Sequence, residues 1–355
     1  MRNKFILIVA MFFFATVSPA DAYTTIGRQL QDFVNMRASA VSFPVGSSYR
    51  NALQTVENRV FENPSHFYVE TLYDEPSVGF NNGESEVWFS SDSNYSPAVT
   101  FTWYLPYPYI VESDVVFYNG VAYTTSMAKT NLWSYGGPYR PFQTTAIHEY
   151  GHVAGLGHEA DEYNIMGADW THIHCNGSTA RSYVGEDACD GLVNLYGLAT
   201  SSVEDLSVSL FKRVGSSGEY STHAQCKMYS STTNNELAFT TYQGQRRYTV
   251  APGQVVKVEF TWENQGKTTQ TRTAGWYISS NSLITTTDSR FATQNFTLSR
   301  GNVNTTKTTL TIPSNLTPGQ TYYLGAIIDY NNGLSEIDEN NNAAYHIIRG
   351  ASLTP

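Results

Sequence analysis

Cysteine is scarce in this chain: Cys175, Cys189 and Cys226 are the only three in 355 residues. An odd number cannot all pair internally, so at least one thiol is left over. Charge is also sparse. Charged residues make up 15% of the sequence, and 31 Asp and Glu against 21 Lys and Arg give a formal net charge of −10. No basic cluster is present, and an acidic surface is a poor match to a phosphate backbone, which excludes nucleic acid as a partner. No long apolar run follows Val17, so the body of the chain has no segment suited to span a bilayer. No internal repeat is found. Ser, Thr, Asn, Gly and Tyr fill the space that charge leaves, with 26 glycines and 25 tyrosines. That composition suits a secreted, β-rich protein whose surface is polar through hydroxyls and amides, and the length suits two domains.

The first residues read as a secretory signal. Arg2 and Lys4 supply positive charge, Phe5 to Val17 is apolar but short for a membrane span, and Ala20-Asp21-Ala22 has the small residues of a cleavage site. Residues 1–22 are expected to be removed, leaving a soluble extracellular protein. A retained membrane anchor is the alternative.

One segment carries chemistry. HEYGHVAGLGH places His148 and His152 one helical turn apart, so both imidazoles leave the same helix face. Gly155 lets the chain leave the helix in a left-handed turn, and His158 can then double back as a third ligand. Three protein ligands on a tetrahedral ion leave one position open, the mark of a catalytic zinc site; closed structural sites favour cysteine and fill all four. Glu149 follows the first ligand and points beside the ion, where it can accept a proton from water. The bland alternative is a set of helix-face histidines in a satisfied core.

At these residues the chain resembles the metzincin zinc proteases, and the resemblance extends to Met166 in YNIMG, which looks like the methionine those proteases carry in a tight turn beneath zinc. The short gap to that turn is similar to the matrixin branch. EDACDGLVNLYG (Glu186 to Gly197) looks like the last helix of a matrixin-type domain, and ESDVVFYNG (Glu112 to Gly120) resembles the strand before the active-site helix. Glu159 after His158 is a departure towards the astacins, yet Ala168 stands where astacins have a tyrosine near zinc. The resemblance implies an endopeptidase acting on protein or peptide substrates, with one catalytic Zn2+ held by His148, His152 and His158 and with Glu149 as the catalytic base. It also implies a substrate strand antiparallel to an edge strand within residues 120–132, and a pocket wall from Ala168 to His174. Trp170 could floor that pocket or simply pack in the core. His172 and His174 alternate as on a strand, as solvent-facing residues or as contacts to substrate or zinc. No cysteine precedes His148, so a cysteine-to-zinc latency segment of the matrixin kind is absent. Asp32 could stand in its place, although an exposed Asp is the commoner case.

The expected fold is an α+β metzincin catalytic domain, a mixed sheet plus the active-site helix, over residues 23–200. An all-β immunoglobulin-like sandwich follows over residues 201–355. Residues 23–45 are open between a short pro-segment and a first strand. Ser48 to Asn63 has the apolar spacing of a helix. Strands are expected from His66 to Glu75, Gly83 to Ser91, Ala98 to Tyr104 and Asp114 to Tyr118. The active-site helix should run from about Pro141–Thr145 to near Gly155. After a linker at Leu198 to Asp205, short strands alternate with Pro-Gly and Asn-Gly turns. EDLSVSLF, VAPGQVVKVEFTWENQG and LTPGQTYYLGAIIDYNNGLSEIDENNN resemble the CARDB family of bacterial immunoglobulin-like modules over about residues 203–350. That resemblance implies an extracellular bacterial protein and gives architecture rather than a ligand; a cell-surface or matrix ligand is one role for such a module. Ser216 to Asn235 reads as a loop insertion of low complexity.

Three further readings complete the set. Cys175 and Cys189 flank a short loop and could form a disulfide in an oxidising compartment, leaving Cys226 as a buried thiol. Asp329, Glu336, Asp338 and Glu339 could hold Ca2+ or form a solvated acidic loop. His66, His223 and His346 are isolated and read as structural. Two functional alternatives stand beside the protease: a non-catalytic adhesion or binding protein on the same scaffold, and a zinc hydrolase of cell-wall amides.

Overall fold

The computed structural model describes residues 23–31, 33–105, 108–200 and 203–351. The proposed signal sequence, residues 1–22, and Asp32 lie outside them. Strands predominate over helices throughout.

The first half is built on a five-stranded sheet in the order β2-β1-β3-β5-β4. Its strands are β1 (Val34–Ser39), β2 (Val69–Glu75), β3 (Ser85–Ser90), β4 (Ala98–Tyr104) and β5 (Ile110–Tyr118). All pairings are parallel except β4 with β5, which is antiparallel and leaves β4 at the edge. The segment left open at residues 23–45 thus holds an inner strand of the sheet, β1. Helix α1 (Ser48–Phe61) begins where the Ser47 hydroxyl accepts the Arg50 N–H, a cap that satisfies one of the free amides of a first turn. Ala52, Leu53, Val56 and Val60 face inward as their spacing predicts, while Phe61 is exposed. Helices α2 (Phe142–Val153) and α3 (Glu186–Tyr196) complete this half. One core joins them to the sheet through Met36, Val115, Phe117, Phe142, Ile147 and Leu192.

Two short ladders link the elements: β6 (Tyr123–Thr124) with β7 (Arg140–Pro141), and β8 (His174–Cys175) with β9 (Ala180–Arg181).

The second half is β throughout. One sheet holds β10 (Leu206–Ser209), β13 (Met228–Ser230), β16 (Val255–Asn264) and β19 (Asn302–Thr311). The facing sheet holds β14 (Phe239–Tyr242), β15 (Gln245–Val250), β17 (Gln270–Ser279), β18 (Ser289–Leu298), β20 (Thr321–Ile327) and β21 (Ala343–Gly350). Inward residues of the two sheets meet at Trp262, Trp276, Phe260 and Phe296, with Trp262 and Phe296 ring centroids 4.0 Å apart. This is the interdigitated interior of a β-sandwich.

Two features depart from the sequence reading. The sandwich core is not confined to the second half: Met127, Leu132, Tyr135, Tyr163, Ile173 and Cys175 are buried in it. And residues 216–235 are not a loop. The segment holds the end of β11 (Phe211–Ser217), all of β12 (Tyr220–Gln225), which pairs with it, and all of β13. The alternation that marks a half-buried strand is absent because the hairpin packs with hydroxyl and imidazole groups rather than aliphatic ones.

Candidate metal centre

Helix α2 is buried from Phe142 to Tyr150. His148 and His152 lie one turn apart on it, edge to face, with ring centroids 4.8 Å apart. The helix ends at Ala154, and Gly155 takes φ +94°, a region that glycine enters without steric cost. A side chain there would also strike the Arg28 carbonyl. The returning segment is fixed by the N-terminal stretch: Ile26 N–H donates to Gly155 O at 2.9 Å, and Gly157 N–H to Thr24 O at 2.9 Å. His158 then lands with its centroid 4.5 Å from His152 and 5.3 Å from His148. One nitrogen from each of the three lies within 4.8 Å of the other two.

The protons on these rings can be assigned from their partners. His148 Nδ1 is 2.8 Å from Ile165 O and His152 Nδ1 is 2.9 Å from Leu156 O. A carbonyl only accepts, so both Nδ1 atoms carry the proton and both Nε2 atoms present lone pairs. On His158, Nδ1 lies 2.8 Å from Glu219 Oε1, again an acceptor. His152 Nε2 and His158 Nε2 face each other at 2.9 Å. Two bare lone pairs at that separation repel, and they would open to about 3.4 Å on sharing a tetrahedral ion. A proton does not serve: burial lowers the pKa of His152 to about 3 and of His158 to about 4, and that of His148 falls well below the ordinary value, with burial first and its two neighbours next. Neutral imidazoles with committed Nδ1 protons are the donor set a zinc ion takes. These residues therefore fit the metal that their spacing predicts.

Glu149 is buried beside them. Its Oε2 accepts the Thr100 hydroxyl at 2.7 Å, and Thr100 lies on the edge strand β4. Burial raises the Glu149 pKa to about 7, with the Thr100 hydrogen bond opposing, so the carboxylate can both take and return a proton near neutrality. Asp169 and Arg140 also act on it, in opposite directions. They form a buried ion pair, and the Asp169 carboxylate also accepts the Thr145 hydroxyl at 2.6 Å.

Met166 is buried in a turn closed by Gly167 N–H to Asn164 O at 3.1 Å. Its sulfur sits on Gly151, where no Cβ would fit, beneath the helix turn that joins the first two histidines.

The β11–β12 hairpin reaches this centre from the second half. Its tip carries Glu219, against His158, and Tyr220, whose ring lies 4.1 Å from His158 and 6.3 Å from His148 by centroids. Backbone bonds clamp it between the loop after His158 and the Met166 turn: Ser221 N–H to Glu159 O at 2.6 Å and Ala168 N–H to Ser221 O at 3.0 Å. Gly167 is required here, since a Cβ would overlap the Ser221 hydroxyl.

Several sequence expectations need correction. His172 and His174 are not solvent-facing; both are buried, His174 Nε2 at 2.7 Å from Ala343 O and His172 between the rings of Tyr163 and Tyr183. Trp170 is half-buried against Trp133, with centroids 6.3 Å apart. Cys175 and Cys189 do not pair. All three cysteines are free and buried, and these two belong to different cores. Residues 120–132 form no long edge strand: β6 is only Tyr123–Thr124, and the exposed edge near Glu149 is β4. Asp329 and Asp338 turn to separate partners, whereas Glu336 and Glu339 both accept from Asn342 Nδ2, at 2.6 and 3.4 Å. Asp329 accepts Leu334 N–H at 2.7 Å, Glu336 accepts Leu206 N–H at 2.6 Å, and Asp338 pairs with Arg181 at 2.7 Å. Thr100, Arg140, Asp169, Glu219 and Tyr220 went unrecognised in the sequence. Only the hairpin had a local signal, the Ser217-Gly218 pair, with Gly218 at φ +63°.

Among the described residues no helix is long and apolar enough to cross a membrane.

The CARDB family model matches residues 240–346, so the sandwich half carries a CARDB domain there. Among solved structures, the crystal structure of the CARDB domain of a Pyrococcus furiosus protein, in complex with di-metal ions, is similar over 43% of this chain and 98% of that domain, at 16% identity and TM-score 0.26. The solution structure of the same domain is similar at 15% identity, 42% and 98% coverage, and TM-score 0.26. A catalytically inactive OgpA from Akkermansia muciniphila, in complex with an O-glycopeptide, covers 94% of each chain at 11% identity and TM-score 0.22. No curated protein matches the chain.

Proposed function

We propose that the protein is a secreted zinc-dependent endopeptidase in which His148, His152 and His158 hold the ion and Glu149 is the catalytic base. The observation that supports this most strongly is the contact pattern: each Nδ1 faces an acceptor, and one nitrogen of each ring lies within 4.8 Å of the other two, beside a buried carboxylate. When bound, zinc supplies Lewis-acid polarisation of a carbonyl oxygen and makes water a competent nucleophile near neutral pH.

The chain's own residues do the rest. Glu149 accepts a proton from water as its oxygen bonds to the substrate carbonyl carbon. The same carboxyl then gives that proton to the departing amide nitrogen as the C–N bond breaks, and it ends ionised as it began. Thr100 holds Oε2 so that the carboxylate keeps one orientation through both transfers. The open edge of β4 is suited to take an extended peptide as an added strand, with backbone bonds for affinity and side-chain pockets for selectivity. Tyr220 and Glu219 close the side of the centre next to His158. The sandwich would thus serve the site directly as well as any surface to which it attaches.

Glu149→Gln tests the reading. The variant should retain zinc at wild-type stoichiometry and lose cleavage of casein, gelatin and a peptide library by three orders of magnitude or more. Unchanged proteolysis would remove Glu149 from the mechanism. Cleavage of peptidoglycan alone by the wild type would move the substrate to cell-wall amides, and no hydrolysis of any panel member would favour a binding protein.

A further inference from the structure

We propose that His172, Glu186 and Glu263 form a second divalent-cation site, buried where the two halves of the chain meet and distinct from the histidine centre. His172 follows the short helical turn Asp169–Thr171, Glu186 opens α3, and Glu263 lies near the end of β16. All three are fully buried. One ligand atom from each lies within 4.8 Å of the other two, and His172 Nε2 is 3.9 Å from Glu263 Oε2.

Their hydrogen bonding is incomplete in a way that points inward. Both Glu186 oxygens, both His172 ring nitrogens and Glu263 Oε2 are buried without a hydrogen-bond partner. The other Glu263 oxygen is occupied, accepting the Tyr183 hydroxyl at 2.8 Å. The rings of Tyr163 and Tyr183 close the sides of His172, at 4.7 and 4.3 Å between centroids. Gly185 closes it from the α3 side, where a Cβ would meet the imidazole at 2.7 Å. No Lys or Arg pairs with either carboxylate among the described residues.

Two carboxylates in such a place need positive charge. A proton shared between Glu186 and Glu263 would join the two carboxyls and halve the charge, but it would leave the imidazole with only the backbone of His172 and Tyr183 near it. A cation satisfies the imidazole and both carboxylates at once. Mixed nitrogen and oxygen donors suit a borderline ion of the Zn2+ or Mn2+ class, whereas Ca2+ takes oxygen ligands and leaves imidazole unused. A four-coordinate ion with bonds of about 2.0–2.2 Å holds its ligand atoms about 3.4 Å apart, so His172 Nε2 and Glu263 Oε2, 3.9 Å apart, need to close by about half an ångström, and no pair within the 4.8 Å limit by more than about 1.4 Å. Such an ion would staple β16 to α3 and to the segment that follows the Met166 turn.

The test uses the full-length chain carrying His148→Ala and His152→Ala, which removes the first centre. Titration with Zn2+ and with Mn2+ should show one bound equivalent and a rise in Tm of several degrees. Adding Glu263→Gln should abolish both the binding and the rise. A histidine variant that binds no ion, with a Tm indifferent to metal and to chelator, would overturn the proposal in favour of the shared proton. If the variants fail to fold, anomalous scattering from wild-type crystals soaked in Zn2+ decides: a peak between His172, Glu186 and Glu263 is expected, and a peak at the histidine centre alone would overturn the site.

Discussion

Glu219 Oε1 lies 2.8 Å from His158 Nδ1, although Glu219 belongs to a hairpin of the β-rich half and His158 to the loop after α2. The carboxylate fixes the tautomer that leaves Nε2 free, and outer partners of this kind raise ligand basicity. Glu219→Ala should therefore weaken zinc binding by about tenfold, the lower end of the usual range because the carboxylate is largely exposed. Chelator competition would measure it, with Glu219→Gln weakened less. Equal affinity in all three proteins would show that His158 needs no such partner.

The same hairpin changes the expected behaviour of a truncated chain. A chain ending near residue 200 would lose Glu219 and Tyr220 and would uncover Met127, Leu132, Tyr135, Tyr163 and Ile173, which are buried in the sandwich core. Each large apolar side chain returned to water costs about 1.5–3 kcal/mol, and a domain's whole stability is about 5–15 kcal/mol. The fragment should show no cooperative thermal transition and no tight zinc binding. A sharp melt with full peptidase activity would mean that the halves are independent.

Free thiols make a prediction of their own. Cys175, Cys189 and Cys226 are buried and unpaired, and burial raises the pKa of each, that of Cys175 to about 11. The thiolate is the reactive form, so the folded protein should resist alkylation. Under denaturation without reductant it should take up three alkyl groups by mass. Uptake of one would restore a disulfide, and Tm would then respond to reductant, which it otherwise should not.

What the sequence disclosed followed from locality. Helices α1, α2 and α3 and strand β4 all have their periodicity or punctuation within one window. The convergence of His148, His152 and His158 was legible because a single helical turn and one glycine dictate it. Thr100, Arg140 and Asp169 reach the site through tertiary packing and leave no mark at fixed spacing. The hairpin was hidden for a related reason: Glu219 and Tyr220 at its tip are exposed, and Ser221 and His223 turn a hydroxyl and an imidazole to polar partners, His223 with Ser221 at 2.8 Å and Thr171 at 3.0 Å. A hydrophobic pattern cannot report that. The cysteines misled because closeness in sequence says nothing about which side of a domain boundary each one packs on.

Buried acid in the five-stranded sheet predicts how stability depends on pH. Asp114 on β5 is fully buried; its Oδ1 accepts the Glu86 N–H at 3.0 Å, and its Oδ2 has no partner. Burial, and next the charge of Glu112, raise its pKa from 3.8 to about 8. The folded state thus holds this proton more tightly than the unfolded chain does. Its contribution is complete below about pH 4 and is lost as the pH climbs towards 8, where folding leaves an ionised carboxylate in the sheet. Asp114→Asn keeps the acceptor and replaces the titrating group with an amide that can donate to Glu112. In chelator-treated protein, Tm should fall from pH 5 to pH 8 more steeply in the wild type than in the variant. The two should lie close together at pH 5, and the variant should be the more stable at pH 8. A variant whose Tm falls at least as steeply as that of the wild type would remove Asp114 as the source of the slope.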